Sequence, residues 1–188
     1  MFTLETARLL LRDLILKDAV PMHALRSDPV VTRYCAYIAS DTLEEAKTWV
    51  RDTMVHNAMR PRLSYNLAIV SKEDGQVMGW IGIGQADDPT LGELSFGYAL
   101  RSAYWGRGYM TEALTALLTF AYEELGAKSV QGECDAQNPA SGRVMAKAGL
   151  RFVERRPEDD GRESDYYAAT AEAWKTWHST SRGEDAAV

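Results

Sequence analysis

The stretch Tyr104-Trp105-Gly106-Arg107-Gly108-Tyr109-Met110-Thr111-Glu112 decides how the chain is read, because its glycines run straight into the most regular helical pattern in the sequence. From Met110 the apolar residues fall at Met110, Ala113, Leu114, Leu117, Leu118, Ala121, Tyr122 and Leu125, the spacing of a helix with one buried face, and Gly126 supplies a C-terminal stop. Upstream, Glu93 to Leu100 roughly alternates and reads as a strand, so the glycines lie between a strand end and a helix start. The first amides of a helix have no partner within it and the dipole favours an anion there. Gly106 and Gly108 let the backbone approach a ligand with no side chain between. The arrangement points to a phosphate held on backbone amides, although a tight turn with no ligand explains a lone Gly-x-Gly equally well. The nucleoside-triphosphate loop and the dinucleotide fingerprint do not fit, since the first needs Gly-Lys-Ser/Thr after four residues and the second a third glycine.

A second candidate lies downstream. Asn138-Pro139-Ala140-Ser141 follows a strand over Ser129 to Cys134 and opens a short helix ending at Gly149. Asn is a preferred N-cap and Pro a preferred first helical residue, so Asn138 either caps or meets a ligand. Ser141, one turn inside, has no such structural reason to be there.

The remaining pattern gives a strand over Arg8 to Leu14 and a short helix beginning near Asp18. Asp41-x-x-Glu44 resembles a capping box, with Leu43, Ala46, Val50 and Met54 on one face of a helix reaching about Met59. Strands over Tyr65 to Val70 and Gln76 to Gly84 are joined by a hairpin-length loop, and the Glu93 strand runs antiparallel to its predecessor. Two late strands lie near Arg151 to Glu154 and Ser164 to Ala169, and the residues from about Ser179 read as a frayed tail. The order predicts an α+β fold with a mixed, mostly antiparallel sheet flanked by helices, in a single domain over residues 1–178.

At 188 residues and 46% hydrophobic content the chain can bury a full core. No apolar run is long enough to cross a bilayer and no secretion signal opens the chain, so a cytoplasmic protein is expected. A net charge of −6 with dispersed basic residues argues against nucleic acid and suits a cationic substrate. Cys35 and Cys134, far apart in sequence and remote from the three histidines, suggest neither a disulfide framework nor a metal site and read as reduced, half-buried fillers.

Taken together and in order, Tyr104-Trp105-Gly106-Arg107-Gly108-Tyr109 with Thr111-Glu112-Ala113, Asn138-x-x-Ser141 and Lys147-x-Gly149-Leu150-x-Phe152 resemble a GCN5-related N-acetyltransferase (GNAT), most closely the branch that acetylates ribosomal-protein N-termini. Glu5-Thr6-Ala7-Arg8-Leu9-x-Leu11-Arg12, similar to that branch's first strand, and Trp174 extend the resemblance over about residues 5 to 178. Three positions depart from the pattern. Trp105 stands where the motif begins with Gln or Arg, Met110 replaces its last small residue, and Met145 occupies the place of the tyrosine that many members use as general acid. The resemblance implies a sheet splayed between the Glu93 and Ser129 strands, with the pantetheine arm of acetyl-CoA in the gap against backbone groups of Tyr98, Ala99 and Leu100. It places the diphosphate on Trp105, Gly106, Arg107, Gly108, Tyr109, Met110 and Thr111, sets Asn138, Ser141 and Arg143 beside the cofactor, and suggests a homodimer.

Acetyl transfer from a thioester to an amine needs a proton acceptor, an oxyanion donor and an acid for the departing thiolate. Glu93 is the candidate base, with Ser95 on the same strand face to orient a water; a solvated strand charge explains Glu93 equally well. By the resemblance, a backbone amide near Tyr98 serves the oxyanion and Ser141 the thiolate. Arg107 and Arg143 are either phosphate contacts or solvated helix charges. The acceptor, a protein N-terminus or a small amine, is expected to meet the segments over 30–39 and 57–64, with Tyr34 and Tyr37 either in its pocket or packing the early helices. The alternatives are a non-catalytic acyl-CoA-binding module and a transferase of longer acyl groups.

Overall fold

A computed structural model of the chain describes residues 1–35, 38–39, 42–85 and 92–185, with side chains placed through residue 180. Eight strands form one sheet: β1 (Thr3–Glu5), β2 (Leu9–Asp13), β3 (Ser64–Ser71), β4 (Val77–Gln85), β5 (Glu93–Leu100), β6 (Ser129–Asp135), β7 (Arg151–Pro157) and β8 (Glu163–Thr170). Their order is β1-β2-β3-β4-β5-β6-β8-β7. Every neighbouring pair is antiparallel except β5 and β6, which are parallel and pair over three positions only, Glu93 with Ser129 through Ser95 with Gln131. Beyond Ser95 the two strands part. β5 goes on against β4 to Leu100 and β6 against β8 to Asp135, which leaves the splay that the resemblance implies.

The helices are α1 (Ala19–Arg26), α2 (Pro29–Thr32), α3 (Leu43–Ala58), α4 (Tyr109–Glu123), α5 (Pro139–Lys147) and α6 (Ala171–Asp185). They divide the core in two. Leu114, Leu117 and Leu118 of α4, Met145 of α5 and Trp174 of α6 close over one face of the sheet with Leu67, Ile69 and Ile81. Met22 and Leu25 of α1 and Val50 of α3 close over the other with Ala68, Val70 and Trp80. Each fully buried Leu contributes about 1.5–3 kcal/mol, so α4 alone holds the glycine turn firmly against the sheet. The Trp174 indole donates to the carbonyl of Ala148 at 3.0 Å, fixing α6 beneath the end of α5.

The pattern of α4 is found as read, apart from Leu125, which lies past the helix and is exposed. The face of α3 is not. Thr53 and Asn57 are buried with Ala46 and Val50, while Met54 is turned outward. Asn57 earns its place by pairing with the backbone of Asn66 through both its amide nitrogen, 2.8 Å, and its oxygen, 3.1 Å, like an added strand residue. The capping box that opens α3 is Thr42 with Glu45; Asp41, like Tyr37, lies outside the described residues. β1 was not legible as a separate strand, and α6 runs to Asp185, past the point at Ser179 where composition suggests a tail.

Candidate active site

Gly106 and Gly108 have φ of 73° and 77°, the left-handed region that glycine enters at no steric cost, and Gly108 is the N-cap of α4. The Trp105 amide donates to the Ser102 carbonyl and that of Glu112 to Gly108. Between them, the amides of Gly106 through Thr111 have no acceptor among the described residues. A row of unpaired N–H groups at a helix N-terminus is an anion cradle. A Cβ on Gly106 would meet nothing within 4 Å, and one on Gly108 only the Arg8 guanidinium at 3.5 Å. The glycines are therefore needed for backbone conformation and for what approaches from outside.

The cradle is braced from the N-terminal strands. The Glu112 carboxylate accepts from the Thr6 hydroxyl at 2.6 Å, the Arg8 amide at 2.9 Å and the Arg8 guanidinium at 2.6 Å. Arg8 also donates to the Arg107 carbonyl at 3.0 Å and lies 4.5 Å over the Tyr109 ring. Burial pushes the Glu112 carboxyl upward, but the bonds from Thr6 and Arg8 outweigh it and leave the group below the usual carboxylate range. The clamp's contribution to stability is then complete above the ordinary glutamate pKa of about 4.3 and is lost as pH falls through the lower folded value. Glu112→Gln is expected to weaken acetyl-CoA binding by about 3- to 10-fold in calorimetry, with turnover at saturating cofactor little changed. Equal affinity of the variant and the parent protein would show that the clamp does not set the cradle.

Trp105 has a related part. Its indole donates to the Leu100 carbonyl at 2.6 Å, tying the glycine turn to β5. The Arg101 amide donates to Met78, and counting back in twos along an antiparallel ladder turns the backbone groups of Ala99 towards β4 and those of Tyr98 and Leu100 towards the splay. Of the three residues expected to pair with an extended arm, Ala99 is thus committed to β4 and Leu100 has its carbonyl taken. The amide and carbonyl of Tyr98 and the amide of Leu100 remain.

The cleft in the splay is lined by Tyr98, Ala99, Leu100, Trp105, Gly106, Gly108, Tyr109, Met110, Thr111, Asn138, Ser141 and Arg143, all expected beside the cofactor, by Val31, Tyr34 and Cys35 of the segment expected at the acceptor, and by Tyr104, Ala140, Val144 and Lys147, for which no such place was expected. Arg107 is not among its walls. Its side chain is exposed, and only its carbonyl is engaged. Arg143 and Lys147, on one face of α5, are the cations that border the cleft. Asn138 caps α5, accepting from the Ser141 amide at 3.2 Å.

Ser141 sits at the junction of this cleft with a second cavity of about 720 Å³, and Tyr34, Cys35, Tyr98 and Asn138 line both. Its Oγ is 2.7 Å from the Tyr98 hydroxyl, which also reaches the Ser141 carbonyl at 3.2 Å. Burial drives the Tyr98 phenol well above the ordinary tyrosine range, the bond with Ser141 offsetting it only in part. Burial likewise raises the Cys134 thiol to about 11, against a hydrogen bond with Ser141. The sequence shows these groups as unconnected; the structure gathers Tyr98, Ser141, Cys35 and Cys134 at one place. Met145, at the position of the missing tyrosine, is fully buried in the core.

Glu93 is not there. It is the first residue of β5, paired with Ser129 at the closed end of the splay, and it lines a separate hollow with Arg62, Gln85 and Leu125. Five strand steps separate it from Tyr98, about 16 Å. Ser95 does line the second cavity, at the last position where β5 pairs with β6. The carboxylates of that cavity come from β6 and the β7–β8 turn: Glu133, Asp135, Glu158, Asp159 and Asp160. The segment over 57–64 borders neither cavity, contributing instead Arg62 and Leu63 to the hollow with Glu93. Continuing the β5–β6 register past Ser95 and Gln131 sets Glu133 level with Gly97, one residue from Tyr98. Tyr166 shares a hydrogen bond with Glu133, which together with burial raises the phenol to about 12.

Among known proteins, residues 8–151 match the family model described as an acetyltransferase (GNAT) domain. The chain is 27% identical over 145 residues to the uncharacterized N-acetyltransferase p20 of Bacillus licheniformis, covering 77% of this chain and 80% of that protein. The crystal structure of a GNAT-family acetyltransferase from Bacillus anthracis superposes with a TM-score of 0.79 at 23% identity, over 91% of this chain and 99% of that one. RimL, a ribosomal L7/L12 alpha-N-protein acetyltransferase solved in complex with coenzyme A, does so with a TM-score of 0.78 at 18% identity, over 92% and 99%. At these identities the two structural likenesses are likenesses of fold. Among the described residues no helix is long and apolar enough to cross a membrane.

Proposed function

Since this chain belongs to the GNAT acetyltransferase family and is an acetyl-CoA-dependent N-acetyltransferase, we propose that the acceptor amine enters through the 720 Å³ cavity and attacks directly, with Glu133 receiving its proton and Ser141, backed by Tyr98, serving the leaving sulfur. The observation that carries this reading is the meeting of the two cavities at Tyr98 and Ser141, just beyond the unpaired amides of the glycine turn. Acetyl-CoA supplies an acetyl group already activated as a thioester. The residues present fit it: amides of Gly106 to Thr111 for the diphosphate, Arg143 and Lys147 for charge, and the open edge of β5 for the arm.

On the protein's side the work is mostly positioning. The Tyr98 backbone amide, turned into the splay, is the donor for a developing oxyanion. Glu133 lies on the opposite strand, one residue off the level of Tyr98 when the register is continued, and lines the same cavity, which places a carboxylate on the acceptor side of the gap. Direct attack agrees with the cysteines. Burial raises both thiols, Cys134 to about 11, so neither is ionised near neutrality to carry an acyl group.

Glu133→Gln is expected to lower kcat by about 100-fold with the acetyl-CoA dissociation constant unchanged. The measurement is a pH series of initial rates by thiol release, beside calorimetry. Turnover equal to that of the parent protein at every pH would remove Glu133 from the mechanism.

A further inference from the structure

The acceptor cavity has more negative charge than the reaction uses, and its arginines do not balance it. Arg162 is held by Asp160 at 2.7 Å and by Asp135 at 3.5 Å, and Arg156 is bound to Glu154. Glu158 and Asp159, in the turn that joins β7 to β8, have no ionic partner among the described residues, yet both line the cavity. Oε1 of Glu158 is moreover shut off from water with no hydrogen-bond donor. A dry, unsatisfied carboxylate oxygen is costly, and a protonated amine is the ligand group that relieves it.

Resting on the acetyl-transfer reading above, we propose that the acceptor is a small molecule with two cationic groups: an amine that is acetylated beside Glu133 and a second, remote ammonium or guanidinium held by Glu158 and Asp159. The turn begins four strand steps past Glu133, about 13 Å along the backbone, but Glu133 is hydrogen-bonded to the Tyr166 phenol and the Glu158 carboxylate acts on that same phenol, so the side chains close part of the distance and a methylene chain spans the rest. A cavity of about 720 Å³ is of small-molecule size. The Tyr166 ring on the same wall, already facing the Arg156 guanidinium at 4.1 Å, is an aromatic surface suited to cations.

The test compares 1,4-diaminobutane and 1,5-diaminopentane with butylamine and pentylamine, at low and high salt. For the diamines kcat/KM is expected to be at least about tenfold higher, with the ratio shrinking as salt rises. In E158Q/D159N the ratio should fall to near one, while kcat/KM for the monoamines and the calorimetric affinity for acetyl-CoA stay unchanged. A parent-protein ratio near one, a ratio that survives in the variant, or turnover of peptide N-termini alone would overturn the proposal. So would acetyl-CoA binding with no turnover of any amine in the panel. Absence of acetyl-CoA binding would instead be the failure of the acetyl-transfer reading. The salt-dependent ratio in the parent protein needs no variant and holds the test open should the double substitution misfold.

Discussion

Replacing Gly108 with valine is expected to raise the dissociation constant for coenzyme A about 100-fold. Gly108 caps α4 at φ 77° with its carbonyl bound to the Glu112 amide, and its own amide and those on either side have no acceptor among the described residues. A diphosphate on this turn takes charge-assisted bonds worth about 1.5–3 kcal/mol each, and losing one or two of them accounts for the factor. A β-branched side chain at that φ costs about 1–3 kcal/mol of backbone strain, which a domain of ordinary stability survives. Gly126 supplies the control. It has φ 67° and open surroundings, but it lies past the far end of α4, so Gly126→Val reports backbone strain without ligand contact. Calorimetry on both variants, with pantetheine as a probe that lacks the diphosphate, separates the effects. Coenzyme A should distinguish the two variants and pantetheine should not. Equal coenzyme A affinities would show that the turn does not hold the phosphates.

The elements that carried this expectation were those the sequence shows best. The period of α4 is long and uninterrupted, and Gly106, Gly108 and Gly126 punctuate it where the backbone turns left-handed. Placement across the sheet was harder to read. Glu93 and Ser95 share a strand face as expected, but which end of β5 faces the splay depends on where pairing with β6 stops, a property of two segments distant in sequence. Nothing local distinguishes Glu93 from Glu133. Met54 looked like core by period, and lost that place to Asn57 because an amide can complete the edge of β3 where a thioether cannot. The Tyr98 hydroxyl was missed because the resemblance assigns that residue a backbone role, while the alternation along β5 already put its side chain on the face of Phe96 and Leu100, where α5 packs. The acidic wall had a visible signal in Glu158-Asp159-Asp160 before Gly161, a run that reads as a solvated turn until the fold lays it against the splay.

The pairing of Tyr98 with Ser141 makes a prediction of non-additivity. Ser141→Ala is expected to lower kcat about 100-fold, Tyr98→Phe about 10-fold, and the double variant no further than Ser141→Ala alone. Ser141 borders both cavities, with the Tyr98 hydroxyl 2.7 Å from its Oγ; in the proposed reaction Ser141 meets the departing sulfur and Tyr98 acts through it. A thiolate with an ordinary pKa of about 8.5 leaves without full protonation, so an oriented hydroxyl suffices. With its O–H given to the Ser141 carbonyl or Oγ, Tyr98 fixes the rotamer in which Ser141 donates. Because burial lifts the Tyr98 phenol far above the working range, it stays protonated throughout, and Tyr98→Phe should lower the pH–rate profile without moving its limbs. A purely structural part for Tyr98 would show as lost thermal stability with kcat intact. Losses that multiply in the double variant would mean that the two hydroxyls serve the reaction separately, and a shifted alkaline limb in Tyr98→Phe would mean that the phenol itself gives up its proton.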